Sequence, residues 1–202
     1  MRLQRKLRPK IRGRAHIDEV FVEVRGKLFP VIHAVDSRTG YELEAMLAKR
    51  RNLRAYDSFF KRLKRRFGRQ IRGIFRRERH KPPRHRKLVT FVSDRWGPIK
   101  RAFNRYFYRI ACLVFGVPIA CRRFGLRFNN NPVERRNQDI KQRCKVMRGF
   151  KSFRMARAFL CLYTAVVNLV RHGKRETPAH RAGVWPGLGR NRFADLISVA
   201  VR

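Results

Sequence analysis

Three acidic residues, Asp18, Asp94 and Glu134, stand at positions where a carboxylate could do chemistry in a chain that is otherwise strongly basic. Asp18 lies in His16 to Arg25, HIDEVFVEVR. Period-two alternation puts it on one strand face with Val20, Val22 and Val24, opposite Ile17, Glu19, Phe21 and Glu23. A carboxylate on an apolar strand face needs a hydrogen bond or a metal to offset its desolvation. Asp94 follows the apolar run Leu88 to Ser93, LVTFVS, which reads as a buried strand with an acid at its carboxyl end, where open α/β sheets place ligand sites. Glu134 sits at the start of a helix. Three such carboxylates converging from distant parts of the chain repel one another unless divalent cations lie between them. Two Mg2+ or Mn2+ ions roughly 3.5–4 Å apart would activate a nucleophilic oxygen and stabilise the leaving oxygen in an in-line attack on a phosphodiester.

The helix that carries Glu134 is signalled by Asn131-Pro132, an N-cap followed by proline in the first turn. At 100° per residue, Val133, Ile140, Cys144 and Met147 form one apolar stripe, interrupted by Asn137. Glu134, Gln138, Lys141, Lys145 and Arg148 cluster on the neighbouring stripe, so one carboxylate projects beside a column of cations. With Asn130 and Arg135, that column is the expected DNA-contact set. Glu134 has a plainer use as well, since it stands where a capping box with Asn131 would place it.

The run NNNPVERRNQDIKQRCKVMRGFKSF resembles the segment around the last acidic residue of DDE-type insertion-sequence transposases, with paired asparagines, an apolar residue, Glu-Arg, a later Lys-x-Arg and Gly-Phe-Lys-Ser. The resemblance extends over residues 16 to 185. It takes in His16-Ile17-Asp18-Glu19, Val35-Asp36, Val92-Ser93-Asp94, Thr177-Pro178-Ala179 and Ala182-Gly183. It implies that Asp18, Asp94 and Glu134 are the catalytic, metal-holding triad of an integrase-like domain. It further implies DNA cleavage and strand transfer, transposon ends and target DNA as partners, and a homo-oligomer on DNA. Two departures are visible: a basic stretch before Leu88 that exceeds the usual connection, and no recognition module ahead of the arm.

The balance of 52 Lys+Arg against 13 Asp+Glu, a net charge of +39, points independently to a polyanion that releases counterions on binding. The four cysteines lack the spacing of a zinc knuckle or a disulfide framework and read as core thiols in a reducing compartment. The best membrane candidate, Met155 to Val170, is too short and carries Arg157. The expected location is cytoplasmic, in a prokaryotic cell, associated with the nucleoid.

The remaining pattern predicts an α/β chain with an RNase H-like fold: a mixed five-stranded sheet, its first three strands antiparallel, flanked by helices. After a basic N-terminal arm over 1–14, read as loose, come strands at His16–Arg25, Leu28–Val35 and Tyr41–Ala48. A helix follows at Arg54–Phe67, then a basic insertion over about 68–87; residues 61–87 hold 14 Lys or Arg against one acid. Beyond the Leu88 strand lie a helix at Pro98–Phe107, a strand within 110–127, the Glu134 helix and a long helix from Ser152 to about Arg171. The catalytic domain is expected over 15–175 and a tail over 176–202. Asp36 is the rival for the first acidic position but sits in a turn that calls for an Asx residue. Asp139 faces away from Glu134 and is expected to pair with arginines, and His33, His85 and His172 read as core or surface residues. A different RNase H-like nuclease and a degenerate arginine-rich nucleic-acid binder are the alternative functions.

Overall fold

Residues 7–116, 131–171, 176–185, 187–188 and 191–201 are described by the computed structural model. Their order is β1 (Ala15–Val24), β2 (Lys27–Asp36), β3 (Glu42–Leu47), α1 (Leu53–Glu78), a short 3-10 turn, β4 (Thr90–Ser93), α2 (Gly97–Phe107), β5 (Cys112–Phe115), α3 (Asn131–Val146), α4 (Phe153–Leu169), α5 (Pro178–Arg181) and α6 (Arg192–Val201). The sheet order is β3-β2-β1-β4-β5. β1, β2 and β3 form an antiparallel meander, and β4 and β5 run parallel to β1. The mixed sheet expected from the sequence is therefore present, with its first three strands antiparallel.

Strand alternation decides which helices cover which face. The turn between β1 and β2 uses Arg25 (φ 51°) and Gly26 (φ 72°), the two left-handed positions of a type I′ hairpin, and pairs Asp18 with His33. Val20, Val22 and Val24 then bury with Val31, Leu47, Ile140, Leu160 and Val167 beneath α3 and α4. Ile17, Ile32 and Ala34 face the other way, toward α1 and α2. There Phe60 meets Phe59, Phe91, Phe103 and Phe107 edge-on, at ring separations of 5.6–6.3 Å.

Four expectations need correction. The first helix runs to Glu78 rather than Phe67, because Ile71 is buried and Gly68, also buried, sits so close to Lys64 that a Cβ would crowd it at 3.3 Å. The first part of the basic stretch is therefore helix. The N-terminal segment, where described, is tied down rather than loose: Ile11 is buried, Lys10 N–H donates to the Ala182 carbonyl at 2.8 Å, and Arg12 and Gly13 N–H donate to Asp36 Oδ2 at 2.8 and 2.9 Å. Asp36 itself is fully buried and also accepts from Arg38 N–H, Thr39 N–H and the Thr39 hydroxyl, which fills the turn role its context calls for. Cys112 and Cys161 are exposed, at a sheet edge and on an outward helix face, so they are not core thiols. Arg148 lies beyond the end of α3 with φ 50°, in the turn where Gly149 N–H bonds the Cys144 carbonyl, and not on the helical stripe.

The aromatic cluster gives the first prediction. Phe60→Ala is expected to cost about 3–5 kcal/mol, the usual range for a fully buried phenylalanine, read as a shift of the urea midpoint at constant slope. A midpoint within error of the parent would show that the sheet face does not depend on this packing.

Candidate active site

Asp18 and Asp94 are brought to the same level of neighbouring parallel strands. The pairing Ala15 with Phe91 and His16 with Val92, continued by two residues, sets Asp94 beside Asp18. Each senses the arrangement. Burial, followed by the negative charges of Asp94 and Glu19, pushes the Asp18 carboxyl up to about 6. Burial and then the Glu19 charge raise Asp94, while Arg51 pulls it back. Glu134 is exposed in the first turn of α3. Among the described residues, no three His, Cys, Asp or Glu side chains stand together at metal-holding spacing.

Besides the apolar packing of Ile140 on the β1 valines, a polar chain ties α3 to β1. Asn137, three residues after Glu134, donates from Nδ2 to Asp18 Oδ2 at 2.7 Å. Its Oδ1 lies 2.6 Å from His33 Nε2, and His33 Nδ1 lies 2.9 Å from Glu42 Oε1. Because the amide nitrogen is spent on a carboxylate, its oxygen faces the ring, so Nε2 is the donor there, while Nδ1 lies against the Glu42 carboxyl. His33 has no exposed surface. Burial alone would push its pKa down, but the Glu42 charge and hydrogen bond, with the Asn137 bond, hold it above the usual histidine value. Glu42 is fixed in turn from α4: its N–H donates to Asn168 Oδ1 at 2.7 Å and its carbonyl accepts from Asn168 Nδ2 at 3.0 Å.

The opposite face of β1 carries a second set. Glu19 accepts from the Tyr56 hydroxyl and from Arg51, whose guanidinium stacks 4.5 Å above the Trp96 ring, two residues beyond Asp94. The Trp96 N–H donates to the Asp94 carbonyl at 2.9 Å, closing the turn from β4 into α2. Arg51 therefore places a cation at the Asp94 corner while anchored to the residue that follows Asp18.

Of the expected DNA-contact residues, Arg135, Gln138, Lys141, Lys145 and Arg148 are exposed and Asn130 lies outside the described residues. Asp139 turns away to the Tyr163 hydroxyl at 2.7 Å and to Arg171, which keep its carboxyl below the usual range despite burial. Sequence reasoning passed over Asn137, His33 and Glu42. Asn137 was visible as the polar residue interrupting the apolar stripe of its helix, whereas the pairing of His33 with Glu42 depends on the register of β2 and β3.

A carboxyl whose folded pKa is about 6 rather than the ordinary 3.8 holds its proton more tightly folded than unfolded. It therefore weakens the fold above about pH 6, and that cost fades as the pH falls toward about 4. In EDTA, Asp18→Asn is expected to melt above the parent at about pH 7.5, with the gap closing toward about pH 4. Asn137→Ala should do the reverse, losing about 1–3 kcal/mol by leaving the His33 Nε2 donor unmade. Thermal melts across pH check both, and unchanged curves for the two variants would break the account of this chain.

The carboxylates offer hard oxygen donors only, and a desolvated like-charged pair is what a divalent cation relieves, so these residues fit Mg2+ or Mn2+. No curated protein matches the chain significantly. Among solved structures, the HTLV-2 integrase catalytic core domain, in complex with magnesium and in dimeric form, aligns with a TM-score of 0.59 at 12% identity, over 86% of this chain and 97% of that one. A chain of the simian T-cell lymphotropic virus intasome in complex with the PP2A regulatory subunit B56 gamma aligns with a TM-score of 0.58 at 12% identity, over 87% of this chain and 58% of its own length. These likenesses show that the fold is RNase H-like, as the sheet order implies. The IS240-type DDE domain of transposases matches residues 13–173, and the chain belongs to that family.

Proposed function

We propose that the chain carries out DNA transposition, cleaving a DNA strand and joining its end to a target, with Asp18, Asp94 and Glu134 as the catalytic carboxylates. The observation that carries this reading is the desolvated pair Asp18 and Asp94, with the Glu134 helix tied over it by Asn137. Two divalent cations held by the three carboxylates would polarise the scissile phosphodiester and lower the pKa of the attacking hydroxyl. The chain's own residues do the positioning. Asn137 fixes the Asp18 carboxylate through Oδ2, Arg51 offsets negative charge at Asp94, and the buried His33–Glu42 pair keeps Asn137 from turning over. Arg135, Gln138, Lys141 and Lys145 on α3, and Arg148 just beyond it, face solvent and would steer the phosphate backbone past Glu134 by charge, without reading bases. A homo-oligomer on DNA, engaging transposon ends and target together, is part of the proposal. Among the described residues no helix is long and apolar enough to cross a membrane.

Two variants test it. Glu134→Gln keeps shape and loses charge, so DNA binding is expected to persist while Mg2+-dependent nicking of supercoiled plasmid disappears; nicking at the parent rate would remove Glu134 from the site. Lys141→Ala with Lys145→Ala is expected to weaken binding to any duplex alike and to shallow the slope of log affinity against log salt by about two, close to one per lost phosphate contact. An unchanged slope would leave the α3 face a solvated surface.

A further inference from the structure

A groove of about 1020 Å³ runs along the free edge of β3, walled by α1 on one side and α4 on the other. Eight of its 20 lining residues are Lys or Arg and one is an acid. Lys49, Arg50, Arg54, Arg65 and Arg157 border it, all exposed, and among the described residues none of them meets a carboxylate. The acid in the lining, Glu44, is already engaged by Arg62 at 3.3 Å and Arg66 at 3.5 Å, and Arg66 also covers the β3 edge by donating to the Leu43 carbonyl. Such a concentration of like charge repels itself and favours an anionic occupant.

Two further features point to a phosphate backbone rather than a compact anion. Arg54, Arg62 and Arg65 recur along one face of α1 over 11 residue steps, about 16 Å at 1.5 Å per residue, which is a track and not a point site. On the facing wall, Arg157, Cys161 and Thr164 share one side of α4, and Thr164 Oγ1 is buried, at 5% exposure, with no hydrogen-bond partner among the described residues. Arg157 thus stands across the groove from the α1 cations, so charge lines both walls, as a phosphate backbone would require.

We propose that this groove binds the phosphate backbone of a second duplex DNA segment, separate from the one at the carboxylates. The proposal rests on the reading that the chain handles DNA. The two places differ in the fold: the carboxylates lie at β1 with α3 over them, whereas the groove lies two strands away, at the β3 edge between α1 and α4.

Cys161 supplies a native reporter, since it is exposed and lines the groove. With the full chain and a random-sequence duplex at about ten times Kd, alkylation of Cys161, followed by peptide mass spectrometry, is expected to slow about tenfold, in proportion to the unbound fraction. The triple variant Arg54→Gln, Arg65→Gln and Arg157→Gln should shallow the salt slope by about 2.7, at about 0.9 per contact, and abolish the protection. The same protection should survive in the Lys141→Ala, Lys145→Ala double variant. If the double variant loses DNA contacts while Cys161 reacts at its free rate and the triple variant keeps the parent slope, the groove is not a DNA track and the proposed function stands. Protection that follows protein concentration without DNA overturns the proposal in favour of a second copy of the chain. Absence of duplex binding by the parent overturns both readings.

Discussion

A buried histidine–carboxyl pair orders this structure. His33 bonds through both ring nitrogens, to Glu42 on β3 and to Asn137 on α3, and those two residues pass the order outward to Asn168 on α4 and Asp18 on β1. Taking such groups out of water is costly, and with Glu42 Oε2 already left without a hydrogen-bond partner among the described residues, losing one member of the pair would be expensive. The consequence is positional. The helix bearing Glu134 cannot slide along the sheet without uncoupling Asn137 from both partners, so a structural pair behind the site sets the geometry in front of it.

The charge distribution obeys a related constraint. A chain with net charge +39 holds its acids where they do specific work. Asp36 gathers the N-terminal segment and a turn, Glu19 anchors Arg51 and Tyr56, Asp139 ties α3 to Arg171, and Glu78 holds Lys81 and the Lys87 backbone. Cations are left facing solvent in many places, among them the outer side of α3 and the β3 groove. The two faces differ in depth: the α3 cations stand on an exposed helix surface, whereas those along β3 line a concavity. Concavity with low-dielectric walls focuses the field, which favours a bound backbone there over a transient one.

Packing at the chain's ends follows the same economy of burial. Residues 10–13 lie between Asp36, Gln70 and the Ala182 carbonyl, and Thr177 caps α5 while Ala179, Ala182 and Val184 bury against the sheet's α1 side. The Thr-Pro-Ala and Ala-Gly pieces of the sequence therefore join the core, Gly183, at φ 76°, makes the turn that lets Val184 return to it, and Leu196 on α6 is buried in the same cluster.

Local pattern alone was enough to place β1 to β4 and the buried face of β1 and to single out the candidate acids, while it bounded β5 only within 110–127. Alternation through Asp18, Val20, Val22 and Val24 fixes a half-buried strand whatever surrounds it, and the Asn131-Pro132 start fixes a helix, because both depend on neighbours a few residues away. It also carried enough motif to indicate the family around Glu134. It could not decide where α1 ends, since Gly68 and a basic composition argue locally for a break that the burial of Ile71 overrides. Nor could it see Ile11 as core, or His33 as the partner of Glu42 and Asn137, or the β3 edge as one wall of a groove. Those depend on contacts between residues such as His33 and Asn137, 104 positions apart, and on register across the sheet. A side chain's partners at that distance are set by how the faces pack, and only the tertiary structure decides that.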